Sequence, residues 1–313
     1  MRRAIVGAAL LFWSCAAFAR PFHFIAYGDT GYTLPRDIAR VGRLVDAINR
    51  EQPAFAIHVG DFKGYTSCSD GAYDSIRAMF QRHAHAVVVT PGDNDWFDCS
   101  VESAGRFEPL ERLAALRRMF YSSNRGLGSR ALLLERQSGL PENARWSHEG
   151  IVFATVHVIG PHNGLVRDER LASDAVSRSR AGEAWVREAF AAARRTKAPA
   201  LVLAFQADPW WQTAPLYENG PLDWLRNAIG EEAADYSGQV LVVHGDSHRL
   251  VVDTPYRRAD TERGTTTGMS VTRLQVPGWP DHRAVRVEVD PARPGMFGFR
   301  LVMGEDEASG ARP

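Results

Sequence analysis

The chain has 313 residues, of which 45% are hydrophobic and 24% are charged, an ordinary globular balance that excludes a disordered chain, a collagen and a coiled-coil rod. Its 37 basic and 37 acidic side chains cancel, so no long-range field attracts a nucleic acid or an anionic membrane. A chain of this length can bury roughly 75% of the surface that its unfolded state exposes, enough for one large domain or two small ones.

The first 19 residues have the pattern of a secretory signal peptide. Arg2 and Arg3 precede an apolar run over residues 4–17, and the small-x-small triplet at residues 17–19 is the kind of site after which a signal peptidase cuts. The run is about 14 residues long, and a membrane-spanning helix, the alternative, needs about 20. We therefore expect residues 1–19 to be removed, leaving a periplasmic or secreted mature chain without a membrane span.

The mature chain opens with a β-α-β-α-β pattern. Apolar runs predict three buried strands, over residues 22–27, 54–59 and 86–90. Apolar residues at helical spacing predict two helices between them, over residues 36–50 and 74–83. Each strand runs into an acidic residue, in order Asp29, Asp61 and Asp93. In open α/β sheets the ligand binds at the carboxyl ends of the strands, so these three carboxylates are candidate site residues.

The same alternation continues along the chain. Helices are predicted over residues 110–120, 181–195 and 222–229. Strands are predicted over residues 151–159, 200–205, 240–243, 270–276 and 284–289. Two of these strands are also followed by polar residues: Gln206 follows the strand over residues 200–205, and Asp246 and His248 follow the strand over residues 240–243. The pattern itself supports an α/β fold with a mixed sheet. We expect the folded part to span residues 20–303, followed by a polar tail over residues 304–313.

Two cysteines remain in the predicted mature chain. Removal of the signal peptide takes away Cys15 and leaves Cys68 and Cys99, an even pair in a chain exported to an oxidising compartment. Each of the two follows an acidic motif by a few residues, which favours a disulfide between them. Two buried free thiols are the alternative, because the sequence does not show whether the two Cα atoms lie within about 7 Å of each other.

The polar residues at the predicted strand ends form a candidate metal site. Carboxylates that converge from separate strands repel one another, and their burial is costly unless a cation or a shared proton compensates the charge. Any one Gly-Asp after a strand is more often a turn or a helix cap. Five polar strand ends in one order favour a metal, with these candidate ligands: Asp29, Asp61, Asp93, Gln206, Asp246 and His248.

The order and spacing of these motifs resemble the calcineurin-like metallophosphoesterase family, whose signature is Asp-x-His, Gly-Asp, Gly-Asn-His-Asp/Glu, a lone His and Gly-His-x-His. The matching segments are Asp29-Thr30-Gly31, Gly60-Asp61, Gly92-Asp93-Asn94-Asp95, Gln206 and Gly245-Asp246-Ser247-His248. Residues 106–120 also look like a charged helix of a secreted branch whose third motif is Gly-Asp-Asn. The resemblance covers nearly all of the mature chain. It implies an α/β/β/α four-layer sandwich with mixed sheets, in which two divalent metal ions hold a hydroxide for attack on a phosphate ester.

The resemblance implies two sets of metal ligands. The set of the first ion is Asp29, Asp61 and His248, and the set of the second ion is Asp61, Asp93, Gln206 and Asp246. Gly31 stands where the first set has a histidine. The second set has exchanged nitrogen ligands for oxygen ligands, which favours Mg²⁺, Mn²⁺ or Ca²⁺ over Zn²⁺ or Fe²⁺.

Asn94 and Asp95 are the candidate catalytic residues. The catalytic histidine of the family falls at Asn94, and an amide is not a general acid near pH 7, although it can donate a hydrogen bond to a phosphoryl oxygen. Loss of a general acid costs about 10²–10⁴-fold in rate, and less when the leaving group is acidic. Two functions stay open: a phosphoesterase acting on a small-molecule phosphoester, and a non-catalytic relative that acts as a binding or scaffold protein.

A few residues outside these motifs are weaker candidates. His244 is expected to support or extend the ligand set, and Asn163 is a candidate substrate contact. His58 and His157 lie inside apolar strands, where a hydrogen-bonded core histidine is the expected role. The tryptophans that flank the motif loops form either an aromatic wall beside the site or ordinary packing; they are Trp96, Trp210 and Trp211.

Overall fold

The computed structural model describes residues 20–160, 162–165, 168–211, 220–256 and 271–304. The predicted signal peptide lies outside the described residues, as do the predicted tail from residue 305 and the first residue of the strand predicted over 270–276. No helix within these ranges is long and apolar enough to cross a membrane.

Strand β1 (Phe22–Tyr27) lies inside a six-stranded sheet. The other strands are β2 (Phe55–His58), β3 (Ala86–Val89), β4 (Leu127–Gly128), β12 (Ala284–Val289) and β13 (Phe297–Val302). Their order is β13-β12-β1-β2-β3-β4. Strands β1, β2 and β3 are parallel, with Ile25 opposite Ala56 and Ile57 opposite Val88, and the other neighbours are antiparallel. The carboxyl ends of β1, β2 and β3 therefore share one edge of the sheet.

The second sheet has seven strands. They are β5 (Glu135–Gln137), β6 (Leu140–His148), β7 (Ile151–Thr155), β8 (Ala200–Ala204), β9 (Gln239–His244), β10 (Val251–Asp253) and β11 (Val271–Gln275). Their order is β10-β11-β9-β8-β7-β6-β5. Strands β7, β8, β9 and β11 are parallel, and β5, β6 and β10 join antiparallel. Both sheets are therefore mixed, as predicted.

Helices cover the outer faces of the two sheets. Within the described ranges the α-helices are α1 (Ile38–Glu51), α2 (Asp70–Gln81), α3 (Pro109–Phe120), α4 (Glu169–Thr196) and α5 (Asp223–Ala234). Ile25 packs with Leu44 of α1, whereas its neighbour Phe24 packs with Phe153 of the second sheet, because side chains alternate between faces along a strand. Phe190 of α4 packs on the other face of that sheet. This order of helices, sheet, sheet and helices confirms the four-layer prediction.

The differences from the predicted elements lie in polar segments. Helix α4 starts well before the predicted residue 181, because Asp168 caps its first turn by accepting hydrogen bonds from the backbone N–H groups of Arg170 and Leu171. Strand β6 is not predicted, because its buried Glu142 and Asn143 interrupt the apolar pattern. The short or edge strands β4, β5, β10 and β13 are also missing from the prediction.

Candidate metal centre

Strand ends of both sheets bring four aspartates together at one edge of the sandwich. Asp29, Asp61 and Asp93 follow β1, β2 and β3, and Asp246 follows β9 of the second sheet. We call these four residues the carboxylate cluster. Three of them have left-handed backbone angles, with φ of 51° at Asp29, 52° at Asp61 and 74° at Asp246. Such angles turn the chain sharply where each strand ends and are typical of functional sites.

A glycine precedes each aspartate of the carboxylate cluster because the motif loops approach one another closely. A Cβ atom at Gly92 would collide with the carboxylate of Asp61, and one at Gly245 would collide with the carboxylate of Asp29. Any larger residue at these two positions would displace a charged group at the centre of the site. The Gly-Asp pairs are therefore required by the packing of neighbouring loops, in addition to the turns that they form.

Burial perturbs the carboxylates strongly. Asp29 is fully buried, and burial together with repulsion from Asp61 and Asp246 raises its pKa well above the usual value. The same causes raise the pKa of Asp93 well above its usual value. Burial also raises the pKa of Asp246 to about 7. For these three carboxyl groups, burial without a compensating positive charge therefore disfavours ionisation.

Asp95 holds two of the motif loops together. Its carboxylate accepts hydrogen bonds from the backbone N–H groups of Asp61 at 2.9 Å, Phe62 at 3.0 Å and Gly92 at 2.8 Å. The buried ammonium group of Lys63 attracts the same carboxylate. Asp95 is fully buried, so its position supports a role in holding the loops, whereas the motif made it a candidate catalytic residue.

Asn94 stands at the position of the family's catalytic histidine and points its amide nitrogen at Asp61. Its Nδ2 donates to Asp61 Oδ2 at 2.9 Å and to the Tyr32 hydroxyl oxygen at 3.2 Å, and its backbone N–H donates to Asp61 Oδ1 at 3.2 Å. Its Oδ1 atom is buried and has no hydrogen-bond partner among the described residues. Asn94 is therefore a hydrogen-bond donor beside the carboxylate cluster.

Tyr32, to which no motif points, lies at the place left by Gly31. Gly31 has a φ of 71°, and a Cβ atom there would lie 2.8 Å from the carbonyl oxygen of Phe62, so this backbone excludes a histidine. The next side chain reaches the site instead. The Tyr32 hydroxyl lies 2.6 Å from Asp61 Oδ2 and 3.0 Å from His248 Nε2. The signal in the sequence is an aromatic hydroxyl directly after the vacant ligand position.

His248 presents an acceptor to the carboxylate cluster. Its Nδ1 lies 2.7 Å from the carbonyl oxygen of Trp279, which requires the proton of a neutral ring to be on Nδ1. Nε2 then carries a lone pair; it faces the Tyr32 hydroxyl and lies 3.7 Å from Asp29 Oδ1. The Tyr32 hydroxyl has one proton for two neighbouring acceptors, and these differ because Asp61 Oδ2 also accepts from Asn94 Nδ2 at 2.9 Å. The atoms that meet here, an imidazole nitrogen, a hydroxyl oxygen and carboxylate oxygens, are of the kinds that bind divalent cations.

The amide nitrogen of Gln206 faces three members of the carboxylate cluster. Its Oε1 accepts a hydrogen bond from the backbone N–H of Gly160 at 2.6 Å. Its Nε2 lies 3.3 Å from Asp61 Oδ2, 3.4 Å from Asp93 Oδ1 and 3.5 Å from Asp246 Oδ1. We expected the oxygen of Gln206 to face the carboxylates as a metal ligand. Its nitrogen faces them instead, because the oxygen accepts the hydrogen bond from the Gly160 N–H.

The two positions that the resemblance gives to metal ions are therefore not equivalent. Within the described ranges, no group of three or more His, Cys, Asp or Glu side chains has the geometry of a metal site on its own. At the first position, the Tyr32 hydroxyl stands among the oxygen and nitrogen atoms of Asp29, Asp61 and His248. At the second, the Gln206 amide presents hydrogens and no lone pair to the carboxylates.

His244 and Asn163 lie behind the site. His244 is fully buried, and its Nδ1 bonds with the carbonyl oxygen of Gly245 at 3.1 Å. Asn163 Oδ1 accepts hydrogen bonds from Arg178 at 2.7 Å and from the backbone N–H of Ile159 at 3.2 Å. Both side chains are thus used to support the loops that follow β7 and β9. Asn163 is occupied by these bonds and is not a candidate substrate contact.

A cavity of about 210 Å³ opens beside the carboxylate cluster. Its wall includes the side chains of Asp246, Asp208, Arg226 and Trp211. Trp211 is 47% exposed, whereas Trp96 is fully buried in the core. Trp96 therefore belongs to the core packing, and Trp211 forms part of the wall of the cavity beside the site.

Cys68 and Cys99 form a disulfide, with their Cα atoms 5.8 Å apart and both side chains fully buried. The bond joins the loop that follows Asp61 to the loop that follows Asp93. A backbone hydrogen bond of 2.9 Å from Cys68 N–H to the carbonyl oxygen of Ala104 lies close by. The loops that carry two of the four aspartates are therefore linked covalently.

A buried ion-pair network supports the loop of the third motif. Glu142 of β6 is fully buried, pairs with Arg117 of α3 at 2.7 Å and lies 2.8 Å from His157 Nδ1. Trp96 Nε1 donates to His157 Nε2 at 3.2 Å, so His157 is a hydrogen-bonded core histidine, as predicted. Burial by itself would raise the pKa of Glu142, but the hydrogen bond from His157 and the pairing with Arg117 lower it to about 2.

Glu142→Gln is expected to reduce the free energy of unfolding by about 3 kcal/mol at pH 7. A lowered folded-state pKa stabilises the protein fully above the unfolded value of 4.5 and loses this effect as pH falls toward 2. The difference between wild type and variant should therefore shrink steadily below about pH 5. Urea unfolding across this range measures it, and an equal difference at pH 7 and pH 3 would contradict the lowered pKa of Glu142.

The layered fold and the strand-end site define the class of protein. Two mixed sheets between helices, with aspartates at the strand ends, match the metallophosphoesterase fold. A family model described as calcineurin-like phosphoesterase matches residues 22–250. The chain belongs to the calcineurin-like phosphoesterase family. No curated protein matches it closely enough to count as a relative.

Several solved structures share this fold at low sequence identity. A dimetal phosphatase from Danio rerio has a TM-score of 0.51 and 10% identity, covering 91% of this chain and 99% of its own. GAP50, the anchor in the inner membrane complex of Plasmodium, has a TM-score of 0.50 and 8% identity, covering 91% and 90%. A 5'-nucleotidase structure from Staphylococcus aureus has a TM-score of 0.50 and 13% identity, covering 91% and 54%. At these identities the likeness shows the fold.

Proposed function

We propose that the protein is a metal-dependent phosphoesterase that hydrolyses a small-molecule phosphate ester. The observation that carries the proposal is the burial of four carboxylates side by side, three of which, Asp29, Asp93 and Asp246, have pKa values raised by burial. Buried carboxylates of this kind are stabilised by positive charge. The cavity beside Asp246 offers room for a substrate next to that charge. Membership of the calcineurin-like phosphoesterase family, which uses divalent metals, supports a phosphoester as the substrate class.

At the first position, Asp29, Asp61 and His248 would hold the cation, with the Tyr32 hydroxyl beside them. A bound divalent ion supplies positive charge for the phosphoryl oxygens and activates water. Tyr32 and Asn94 orient Asp61, since the Tyr32 hydroxyl and the Asn94 amide both donate to Asp61 Oδ2. A phosphoryl oxygen would accept one of the two Asn94 amide hydrogens in place of Asp61 or Tyr32. The oxygen-rich ligand set favours Mg²⁺, Mn²⁺ or Ca²⁺ over Zn²⁺ or Fe²⁺.

The loss of the family's catalytic histidine narrows the expected substrates. The amide of Asn94 does not donate a proton to a leaving oxygen near pH 7. A leaving group that is already acidic, such as the phenol of an aryl phosphate, has the least need of that proton. We therefore expect aryl phosphates to be hydrolysed faster than alkyl phosphates.

We also propose that the protein works in the periplasm or outside the cell. The pattern of residues 1–19 and the disulfide between Cys68 and Cys99 support export to an oxidising compartment. Cell fractionation with amino-terminal sequencing of the processed chain tests it. A mature chain that starts at Arg20 in the periplasm or the medium is the expected result, and an unprocessed cytoplasmic chain would contradict it.

Metal dependence is tested by dialysing the purified mature protein against chelator and adding back Mg²⁺, Ca²⁺, Mn²⁺, Zn²⁺ or Fe²⁺ in turn. Bound metal and aryl-phosphate hydrolysis are measured in the same samples. We expect hydrolysis to disappear with chelator and to return best with Mg²⁺, Mn²⁺ or Ca²⁺. Absence of hydrolysis with every ion, on mono- and diesters alike, would refute the proposed activity.

Tyr32→Phe is expected to lower both Mn²⁺ affinity and kcat/KM for an aryl phosphate by about ten- to a hundred-fold, because it removes a hydrogen bond to a charged group. Burial and the neighbouring carboxylates, Asp61 first, raise the pKa of Tyr32, which keeps this hydroxyl protonated as a donor. Tyr236→Phe is the matched control, since the Tyr236 hydroxyl donates to the backbone of Ala198 away from the site. Equal losses in both variants would show that the effect is not local.

A scaffold role is the second candidate function. The observation that favours it is that Asp61 Oδ2 already has three donors close by, from Tyr32, Asn94 and Gln206. GAP50, which shares the fold, is an anchor protein. The add-back experiment decides between the two functions, because a scaffold protein folds and persists with no metal bound and no hydrolysis.

A further inference from the structure

The second cation position is filled by a side chain of the protein itself. We infer that the amide of Gln206 takes the place of the second ion, so that this centre binds one divalent cation where the resemblance implies two. The inference deepens the proposed function, on which it rests for the first ion. It concerns the position among Asp61, Asp93 and Asp246, where the amide nitrogen lies 3.3–3.5 Å from three carboxylate oxygens.

The orientation of the Gln206 amide is determined by Gly160. The Gly160 N–H donates to Gln206 Oε1 at 2.6 Å, and both residues are buried. Rotating the amide by half a turn would place its NH₂ group against this N–H, two donors in contact, and would leave a buried backbone donor without an acceptor. The nitrogen must therefore face the carboxylates.

An amide nitrogen in this orientation excludes a cation. The NH₂ group of Gln206 has two hydrogens and no lone pair that can bind a metal. A divalent ion lies about 2.0–2.6 Å from its oxygen ligands, and the space between these three carboxylates is where the hydrogens of the amide point. The partial positive charge of the NH₂ group lies where the charge of the second ion would lie.

The carboxylates of the second position also have donors without an ion. Asp93 Oδ1 accepts from the backbone N–H of Asn94 at 3.0 Å, and Asp246 Oδ2 accepts from the backbone N–H of Asp208 at 3.0 Å. Each of the two thus has a backbone donor in addition to the Gln206 amide. The carboxylates of the first position have donors as well, since Asp29 accepts from the backbone N–H of Asp246 at 3.1 Å and Asp61 accepts from the Asn94 amide at 2.9 Å. The difference is that His248 Nε2 and the Tyr32 hydroxyl oxygen present lone pairs at the first position, whereas the Gln206 NH₂ group presents none at the second.

The test is the number of Mn²⁺ ions bound by the mature protein, measured by equilibrium dialysis with elemental analysis. Three proteins are compared: wild type, Gln206→Met, which removes the amide, and Gln206→His, which restores an imidazole. We expect one equivalent in the wild type and in Gln206→Met, and a second equivalent in Gln206→His. Electron paramagnetic resonance should show an isolated Mn²⁺ ion in the first two proteins and, in Gln206→His, coupling between ions about 3.5–4 Å apart.

Two equivalents in the wild type that fall to one in Gln206→Met would overturn the inference, because Gln206 would then be a ligand of the second ion. No bound ion in the wild type would also overturn it. Gln206→His is not essential to this decision, since the wild type and Gln206→Met decide it if the histidine variant fails to fold. One bound ion without hydrolysis would support the inference and refute the proposed function. Two bound ions with hydrolysis would support the proposed function and refute the inference.

Discussion

Replacing Asp61 with asparagine is expected to lower aryl-phosphate hydrolysis by at least ~10³-fold, which corresponds to about 4 kcal/mol of transition-state stabilisation. Asp61 connects both halves of the carboxylate cluster, because Oδ2 receives the Tyr32 hydroxyl at 2.6 Å and the Gln206 amide at 3.3 Å. Asparagine keeps the shape of the side chain and removes the negative charge. The measurement is kcat/KM for an aryl phosphate, with bound metal determined in the same preparation.

The matched control for this variant is Asp46→Asn. Asp46 lies on the surface, where its side chain is 53% exposed and pairs with Arg82 at 3.1 Å, and surface pairs of this kind contribute little to stability. We expect kcat/KM to change by less than about twofold. A folded Asp61→Asn protein with wild-type hydrolysis would mean that the carboxylate cluster is not where the ester is cleaved.

Removing the disulfide is expected to reduce the free energy of unfolding by about 3–4 kcal/mol. Cys68 and Cys99 are separated by 31 residues, and the cross-link restricts the unfolded chain over that length. The bond also ties together the loops that carry Asp61 and Asp93, so its loss should weaken Mn²⁺ binding as well. The variant Cys68→Ala/Cys99→Ala is compared with wild type by urea unfolding and by metal titration.

The control is wild-type protein unfolded in the presence of a strong reductant. Reduction should lower the stability of the wild type toward that of the double variant and should leave the double variant unchanged. An unfolding curve of the oxidised wild type that coincides with that of the double variant would contradict a stabilising role for the bond. If the double variant folds and its Mn²⁺ affinity is unchanged, the disulfide is not needed to position the two loops. Hydrogen bonds such as those that Asp95 accepts would then be sufficient.

Local patterns in the sequence were enough to predict most buried elements. The strands that end before Asp29, Asp61 and Asp93 are continuous apolar runs, and such runs are typical of strands buried on both faces. Strand β6 could not be found in this way, because buried Glu142 and Asn143 replace apolar residues there. Their burial is tolerated only because partners distant in the chain pair with them, as Arg117 does with Glu142.

In the site, the positions of the candidate ligands were easier to predict than their hydrogen-bonding roles. Asp29, Asp61 and Asp93 follow the parallel strands β1, β2 and β3, so their convergence follows from the arrangement of one sheet. Asp246 joins them from the second sheet, which strand order along the chain does not predict. Tyr32 was missed because its entry depends on the left-handed turn at Gly31. The role of Gln206 was missed because amide orientation depends on a single backbone N–H, that of Gly160.

The sequence by itself determined the α/β alternation, the acidic strand ends, the family resemblance and the cysteine pair as candidates, since each of these is a property of neighbouring residues or of motif order. Only the tertiary structure decided that the Tyr32 hydroxyl lies between Asp61 and His248 and that the nitrogen of Gln206 faces the carboxylates. Those outcomes depend on which hydrogen-bond donors and acceptors meet when distant loops pack, as between Gly160 and Gln206. The pairing of buried polar groups, and hence the chemistry available to the site, is therefore a property of the folded molecule.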